Sequence, residues 1–325
     1  MIEKLIEQIK NKKSPIVVGL DPQLELLPPH LLPESESMDL GNVSEAVLAF
    51  NKELIDAVAD IVPAVKPQIA FYERLGLSGL SAYQQTIRYA HEKGLFVIAD
   101  VKRGDIGSTS KAYADAHLGK VRLGDRLFPV FNADFATINP YMGGDSLQPF
   151  FDVCKEEGKG LFILVKTSNP GSVDFQNKFV YSEDDPAGGN EERRGLEEGN
   201  RKTLYAHMGE HVERWGERMR HGQYSDIGAV VGATHPEEGK LLRKLLPHTF
   251  FLVPGYGAQG AKGQDLAGFF DAEGSGAIVN SSRGIIGAWQ KKEYERFGGE
   301  RFAEAAREAV LAMREDIAAN VPGLA

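Results

Sequence analysis

The sequence contains almost no cysteine and no long apolar run, and each absence excludes a class of protein. Its single cysteine, Cys154, excludes an intramolecular disulfide or a multi-cysteine zinc site, and we interpret it as a packing residue. No stretch of about 18 or more apolar residues occurs, so the sequence predicts no transmembrane helix. Residues 1–14 show helical spacing and lack the apolar core of a signal peptide, so we expect a cytoplasmic protein.

The chain also lacks an excess of basic charge. It has 37 lysines and arginines against 46 acidic residues, which gives a formal net charge of -9. Nucleic acid and anionic membranes are bound through basic surfaces, so this balance predicts neither as a partner. It leaves open an anionic small molecule, because a pocket can be basic in an acidic protein.

Eight short apolar runs alternate with helical patterns along the 325 residues. Most are rich in Val, Ile, Leu and Phe without polar alternation, which is typical of parallel strands buried on both faces. Eight strand–helix units predict an α/β fold, the (β/α)8 TIM barrel. The alternative is a doubly wound open sheet, whose usual strand count is nearer six. The runs are residues 15–21, 64–68, 95–102, 135–140, 161–168, 227–234, 250–257 and 276–284.

One connection is too long for a minimal barrel. Residues 171–226, between the fifth and sixth runs, exceed a typical crossover. Within them, residues 182–200 are polar, charged and rich in glycine, and predict an exposed loop. Residues 201–220 have helical spacing. We therefore predict a single barrel domain over residues 1–325, with residues 171–226 as an insert or extended crossover.

Polar residues follow nearly every apolar run. In a barrel the carboxyl ends of all strands open onto one face, where the active sites of this fold lie. We therefore expect these side chains to converge, and the convergence predicts an enzyme. They are Asp21, Lys66, Asp100, Lys102, Asn139, residues 167–169, Gln259 and residues 280–283.

The third run ends in a group of charges, "ADVKRGD". Asp100 and Lys102 are two apart and share a face of a strand, and burial requires them to pair with each other or with a ligand. The alternative is a solvated strand end or a structural ion pair. Lys66 adds a second cation from the neighbouring strand, and a lysine among carboxylates stays protonated, which suits a proton donor. Asp105, in a glycine-flanked loop, can serve its own pocket or a partner's.

Two stretches late in the chain are suited to binding an anion. Residues 253–260, "VPGYGAQG", contain G-x-G-x-x-G, but a dinucleotide site needs an acid about 20 residues on, and the next run ends in Asn280. A glycine-rich loop that exposes N–H groups to an anion is the better interpretation. Arg283 supplies a forked donor for phosphate, and phosphate sites after strands seven and eight recur in this fold. The alternative for Arg283 is a surface residue at a helix start.

Two other polar stretches are less informative. Residues 167–172, "TSNPGS", form either an ordinary turn or a contact to a polar ligand edge. Residues 234–246 predict a helix with Thr234 or His235 as its cap. We assign none of the histidines to a metal, and no metal site is predicted.

The run Asp100-x-Lys102-x-x-Asp105-Ile106, followed by Thr109, resembles the catalytic signature of the orotidine 5'-phosphate decarboxylase family. The resemblance extends over most of the chain. Gly107 stands where a proline commonly follows Asp-Ile, and shorter members lack the 171–226 insert. Both features are similar to the longer bacterial subgroup.

The resemblance implies loss of CO2 from orotidine 5'-phosphate to give UMP in pyrimidine biosynthesis, with no cofactor and no metal. It implies that Lys102 delivers a proton to C6 beside Asp100, with Lys66 as the second lysine. In the family, the residues matching Asp105 and Thr109 come from a second subunit, so a homodimer is expected. The substrate-binding residues it implies are Asp21 for ribose, Ser168 for the pyrimidine edge, Gln259 and Arg283 for phosphate, and also Ile106, Thr109 and Gly284.

Two rival functions are open at this point. A related sugar-phosphate branch shares D-x-K-x-x-D but uses Mg²⁺ and carries a glutamate where this chain has Lys66, and a cation there would repel the metal. The other rival is a non-catalytic protein that binds a phosphate ligand on a barrel scaffold. Such a protein has no need for a lysine flanked by acids.

Overall fold

A computed structural model describes residues 1–181 and 201–324, which form a closed barrel of eight parallel strands. The barrel order is β1-β12-β11-β10-β7-β6-β3-β2, and β1 pairs with both β12 and β2. This closure confirms the predicted barrel and excludes the open doubly wound sheet. The strands are β1 (Ile16–Leu20), β2 (Ala64–Pro67), β3 (Phe96–Arg103), β4 (Lys120–Leu123), β5 (Arg126–Pro129), β6 (Phe135–Ile138), β7 (Gly160–Lys166), β8 (Phe179–Tyr181), β9 (Arg201–Thr203), β10 (Ile227–Val231), β11 (Phe251–Pro254) and β12 (Ala277–Ser281).

Helices follow the barrel strands and pack around them. The stretches that show helical spacing in the sequence form α1, α2, α4, α7 and α10, and Cys154 is buried in α6 as a packing residue. Among the described residues, no helix combines the length and the apolar character needed to cross a membrane. The helices are α1 (Ile2–Lys12), α2 (Leu40–Val58), α3 (Ala70–Glu73), α4 (Gly76–Glu92), α5 (Gly107–His117), α6 (Gly144–Glu157), α7 (Leu204–Gly216), α8 (Pro236–Leu245), α9 (Arg283–Ile286) and α10 (Phe302–Asn320).

The barrel interior is apolar at the end where the strands begin. Successive strand residues alternate between inside and outside, so Val17 packs among interior residues while Ile16 and Val18 pack among those beneath the helices. The rings of Phe135 and Phe162 lie 5.3 Å apart inside the barrel, and apolar side chains of α1 join the same cluster. This packing fills the amino end of the barrel interior, and a cavity opens at the carboxyl ends of the strands.

The connection between β7 and β10 is described only in part. A short 3-10 helix spans Pro170–Asp174, β8 pairs with β9 as an antiparallel ribbon, and α7 returns the chain to the barrel. The predicted exposed loop at residues 182–200 lies outside the described residues. The assignment of residues 171–226 as an insert stays a prediction.

A second antiparallel hairpin, β4–β5, was not predicted from the sequence. It follows α5 directly, and its strands meet at Gly124, whose φ of 61° lies in the left-handed region that favours glycine. Leu123 and Leu127 on this hairpin are 62% and 49% exposed. The hairpin therefore presents apolar side chains to the outside of the barrel.

Candidate active site at the carboxyl ends of the strands

A cavity of about 540 Å³ opens at the carboxyl ends of the barrel strands. Side chains from widely separated parts of the sequence line it, as the convergence argument predicts. Three cations and two carboxylates line this cavity, so it is locally basic in an acidic chain. The predicted site residues that line it are Asp21, Lys66, Asp100, Lys102, Ser168, Gln259 and Arg283.

The central feature of the cavity is a carboxylate held between two lysines. Lys66 Nζ lies 2.6 Å from Asp100 Oδ2, and Lys102 Nζ lies 2.5 Å from Asp100 Oδ1. Lys66 and Asp100 are buried, whereas 46% of the Lys102 side chain is exposed to the cavity and solvent. The predicted pairing is present, with both lysines on the same carboxylate.

Lys66 and Asp100 hold each other in their charged forms. Burial alone would lower the pKa of Lys66, but Asp100 and then Asp21 raise it above its ordinary value. Burial alone would raise the pKa of Asp100, but the charges of Lys66 and Lys102 hold it well below its usual range. At neutral pH the site therefore contains an ionised Asp100 carboxylate beside the ammonium group of Lys66.

Asp100 and Lys102 do not meet through regular strand alternation. Ala99 pairs with Ala136 and Arg103 pairs with Ile138. The three β3 residues between these pairs, 100–102, therefore lie opposite a single β6 residue, Thr137. This is a bulge, and Lys102 takes a φ of 46° within it, a conformation that costs a non-glycine residue free energy. The expectation that the two side chains share a site is confirmed, but a bulge rather than a regular strand brings them together.

Strand β6 contributes Thr137, not the predicted Asn139. Thr137 lines the cavity and its hydroxyl donates to Asp100 Oδ1 over 2.9 Å. The Asn139 side chain instead accepts a hydrogen bond from the backbone N–H of Tyr141. The sequence reasoning chose the polar residue after the strand, and the relevant one lies within the strand "FATI".

The two stretches predicted to bind an anion lie across the mouth of the cavity from this cluster. In the closed barrel β11 is four places from β3, which puts the loop after β11 on the opposite side. That loop carries Gln259 and turns through Gly255 at φ 113° and Gly257 at φ 74°, conformations that favour glycine. Arg283 lies at the start of α9 after β12, exposed at the same edge. The cavity therefore has Lys66, Asp100 and Lys102, here called the lysine cluster, on one side. It has candidate phosphate ligands on the other side.

Two oxygen atoms in the cavity wall lack a partner. Asp21 Oδ1 and Asn280 Oδ1 are buried and make no hydrogen bond within the described parts of the chain. Buried polar atoms are nearly always satisfied in folded proteins. These two acceptors therefore fit a cavity that receives a ligand with donor groups, such as hydroxyls.

The stretch 167–172 is held by side chains that lie outside it. Gln176 Oε1 accepts from the backbone N–H of Thr167, and the Thr234 hydroxyl donates to the backbone oxygen of Ser168 over 3.0 Å. The prediction that the helix after β10 begins with Thr234 or His235 as its cap is confirmed in position, since His235 is the N-cap residue of α8. Its ring, however, lies 3.4 Å from the Ser172 hydroxyl and makes no capping hydrogen bond.

Besides Asn139, four predicted site residues do not line this cavity. Asp105 lies past β3, where its carboxylate accepts from the backbone N–H of Ile106, and Ile106 and Thr109 are exposed at the start of α5. Gly284 lines a smaller neighbouring cavity of about 340 Å³. Within the described single chain, these residues are therefore separate from the lysine cluster.

Comparison with known proteins gives consistent matches. The model of the "Orotidine 5'-phosphate decarboxylase / HUMPS family" matches residues 14–297. Proteins named orotidine 5'-phosphate decarboxylase from Clostridium novyi and Clostridium tetani are each 42% identical to this chain. The matches cover 98% of this chain in both cases, and 98% and 97% of the respective relatives.

Solved structures agree with this result. A putative orotidine 5'-phosphate decarboxylase from Streptomyces avermitilis has a TM-score of 0.72 at 30% identity, covering 98% of this chain and 95% of that one. A putative orotidine-monophosphate decarboxylase from Toxoplasma gondii has a TM-score of 0.72 at 28% identity, covering 97% and 96%. By its sequence and its barrel, this chain belongs to the orotidine 5'-phosphate decarboxylase / HUMPS family.

Proposed function

We propose that this protein is a carboxy-lyase that converts orotidine 5'-phosphate to UMP and CO2 in pyrimidine biosynthesis. The observation that carries the proposal is Asp100, held between Lys66 and Lys102 at one side of a cavity whose opposite side carries Gln259 and Arg283. The names of the curated relatives support the same reaction. The cavity is large enough for a ligand that spans both sides.

The chemistry requires a proton donor and a positive potential at one carbon. When the bond between C6 and the carboxylate breaks, CO2 leaves and the electron pair remains on C6, where the ring delocalises it poorly. Lys102, half-exposed and hydrogen-bonded to Asp100, balances this charge and transfers a proton from Nζ to C6. Asp100 lies beside the departing carboxylate, and Lys66 keeps Asp100 ionised.

The remaining cavity residues position the substrate. Arg283 and Gln259 bind the phosphate at the far side, so their binding energy is used to hold C6 against Lys102. Asp21, with its unpartnered oxygen, accepts from ribose hydroxyls. Ser168 meets the polar edge of the pyrimidine.

The magnesium-dependent alternative fits this cavity poorly. The lysine at position 66 is buried and occupies one oxygen of Asp100, while Lys102 and Thr137 occupy the other. A divalent cation would need these oxygens as ligands and would meet two ammonium groups. The cluster therefore favours proton transfer over metal binding.

We further propose a homodimer in which Asp105 and Thr109 complete the partner's site, while residues 1–325 form a single domain. The support is their position: Asp105 and Thr109 lie outside their own cavity, next to Ile106, which is 57% exposed. The hairpin that follows α5 presents Leu123 and Leu127 to the outside as well. A second copy packed against this surface would cover these apolar side chains. Asp105 and Thr109 of each copy would then reach the cavity of the other copy.

The test follows the fall in orotidine 5'-phosphate absorbance with purified, EDTA-treated protein. The proposal predicts loss of substrate absorbance and formation of UMP without added metal. Absence of decarboxylation would refute the proposed function. Activity that appears only after Mg²⁺ is added would support the magnesium-dependent branch instead.

A further inference from the structure

We propose that Thr137 is a positioning residue that fixes the β3 bulge and the direction of the Asp100 carboxylate. This inference rests on the proposed function, because it assigns to Thr137 the alignment of the lysine cluster that carries the reaction. Thr137 lies on β6 opposite the bulge and is 1% exposed. No sequence motif marks it.

The bulge creates a backbone problem that Thr137 solves. Where residues 100–102 of β3 lie opposite a single residue of β6, the regular pattern of hydrogen bonds between strands cannot give every backbone N–H group a partner. The backbone N–H groups of Val101 and Lys102 both donate to Thr137 Oγ1, each over 3.0 Å. Buried N–H groups without a partner are costly, so this hydroxyl stabilises the left-handed conformation at Lys102.

The same hydroxyl also sets the orientation of Asp100. A threonine hydroxyl has one proton and two lone pairs, and the two backbone N–H groups of the bulge use both lone pairs. Its single proton therefore points at Asp100 Oδ1, over 2.9 Å. That oxygen accepts from Thr137 and from Lys102, which fixes the plane of the carboxylate relative to both lysines.

Thr137 acts through its neighbours and does not bind the ligand by hydrogen bonds. Although it lines the cavity, its hydrogen-bonding capacity is fully used by Asp100 and the bulge. Loss of the hydroxyl should therefore misplace Lys102 Nζ while leaving substrate affinity largely intact. The expected signature is a fall in kcat with little change in KM.

The experiment compares Thr137→Val, which removes the hydroxyl at constant shape, with Thr137→Ser, which keeps it. We expect kcat of Thr137→Val to fall about tenfold or more, KM to change less than about threefold, and Thr137→Ser to stay within about threefold of the parent. Thr249→Val is the matched control. Thr249 is as buried as Thr137, and its hydroxyl donates to the carboxylate of Glu213. Thr249 lies before β11, at the closed end of the barrel and away from the cavity.

Several outcomes would overturn the inference. They are an unchanged kcat in Thr137→Val, an equal fall in kcat for Thr137→Ser, or an equal fall for Thr249→Val. If Thr137→Val does not fold, Thr137→Ala against Thr137→Ser makes the same comparison, and equal kcat values refute the inference. The parent protein is assayed first: if it does not decarboxylate orotidine 5'-phosphate, the proposed function fails, whereas an active parent with an active Thr137→Val refutes only the role of Thr137.

Discussion

Lys66 Nζ lies 2.6 Å from Asp100 Oδ2, and both side chains are almost wholly buried. Taking two charges out of water is costly, and removal of one partner leaves the other uncompensated. Lys102 cannot fully replace Lys66 as the partner of Asp100. Lys102 donates its hydrogen bond to the other carboxylate oxygen, and its side chain remains 46% exposed. The buried pair is therefore a structural requirement of the site as well as a part of its chemistry.

The first prediction concerns this pair. Lys66→Met should lower the free energy of unfolding by about 3 kcal/mol, because it strands a buried carboxylate, as measured by urea denaturation. The double variant Lys66→Met with Asp100→Asn should lose less than the sum of the two single losses. The control is Lys93→Met: Lys93 pairs with Asp56 over the same 2.6 Å at the surface, so its loss should change little. Equal losses for Lys66→Met and Lys93→Met would contradict the account.

A second prediction concerns phosphate binding. Arg283→Ala should lower kcat/KM for orotidine 5'-phosphate at least about tenfold, because a charge-assisted contact to the phosphate is lost. With orotidine, which lacks the phosphate, Arg283→Ala and the parent should have the same kcat/KM. Lys262→Ala is a control, since Lys262 lines the neighbouring smaller cavity and not the one that holds the charged cluster. An equal loss of kcat/KM for both substrates would argue against a phosphate contact.

Shared sites give a third prediction. Asp105→Ala and Lys102→Ala should each be inactive, and mixing them in equal amounts under exchange conditions should restore about a quarter of the parent's activity, because half of the dimers are mixed and each has one intact site. Activity is followed by absorbance and mixed dimers by native mass spectrometry. Mixed dimers without activity would refute the contribution of Asp105 across the interface.

The fourth prediction uses His117, which is 3% exposed and stacks on Phe131 at 5.2 Å. Burial, with a contribution from Arg103, lowers the pKa of His117 to about 4. Because this value lies below the unfolded pKa of about 6.5, the folded state binds fewer protons, so its stabilisation is present above pH 6.5 and is lost as pH falls towards 4. The decrease in the free energy of unfolding that His117 causes over this pH range amounts to about 3 kcal/mol at most.

Urea denaturation at a series of pH values tests this prediction. His117→Leu should lose less stability than the parent between pH 7 and pH 5, by about 2 kcal/mol. His30→Leu, at an exposed histidine, should keep the parent's pH dependence. Identical pH profiles for the parent and His117→Leu would show that His117 is not held neutral by burial.

Much of the barrel could be predicted from the sequence because its strands are apolar on both faces and lack alternation. The same logic located Lys66, Asp100 and Arg283, since all strands end at one face. The hairpin β4–β5 was missed although its alternation and its Gly124-Asp125 turn were visible in the sequence.

Other features depend on geometry that no local pattern encodes. The β6 residue that contacts Asp100 is Thr137 and not the predicted Asn139, because the β3 bulge places Asp100 opposite Thr137. His235 is the N-cap residue of its helix, but its ring faces Ser172 and makes no capping hydrogen bond, which depends on where a distant segment folds. The role of Asp105 depends on a second copy of the chain, and it stays a prediction.

The most direct test of the central claim is a single-turnover reaction of orotidine 5'-phosphate in D2O, with EDTA-treated protein in excess, analysed by NMR at position 6 of the product. The account predicts one UMP per substrate, with deuterium at C6, since the exchangeable proton of Lys102 Nζ is the one delivered. It also predicts that Lys102→Met, at a side chain 46% exposed and so tolerant of replacement, folds and binds UMP but slows this turnover at least about 100-fold. No UMP from the parent, or UMP formed by Lys102→Met at the parent's rate, would contradict the account.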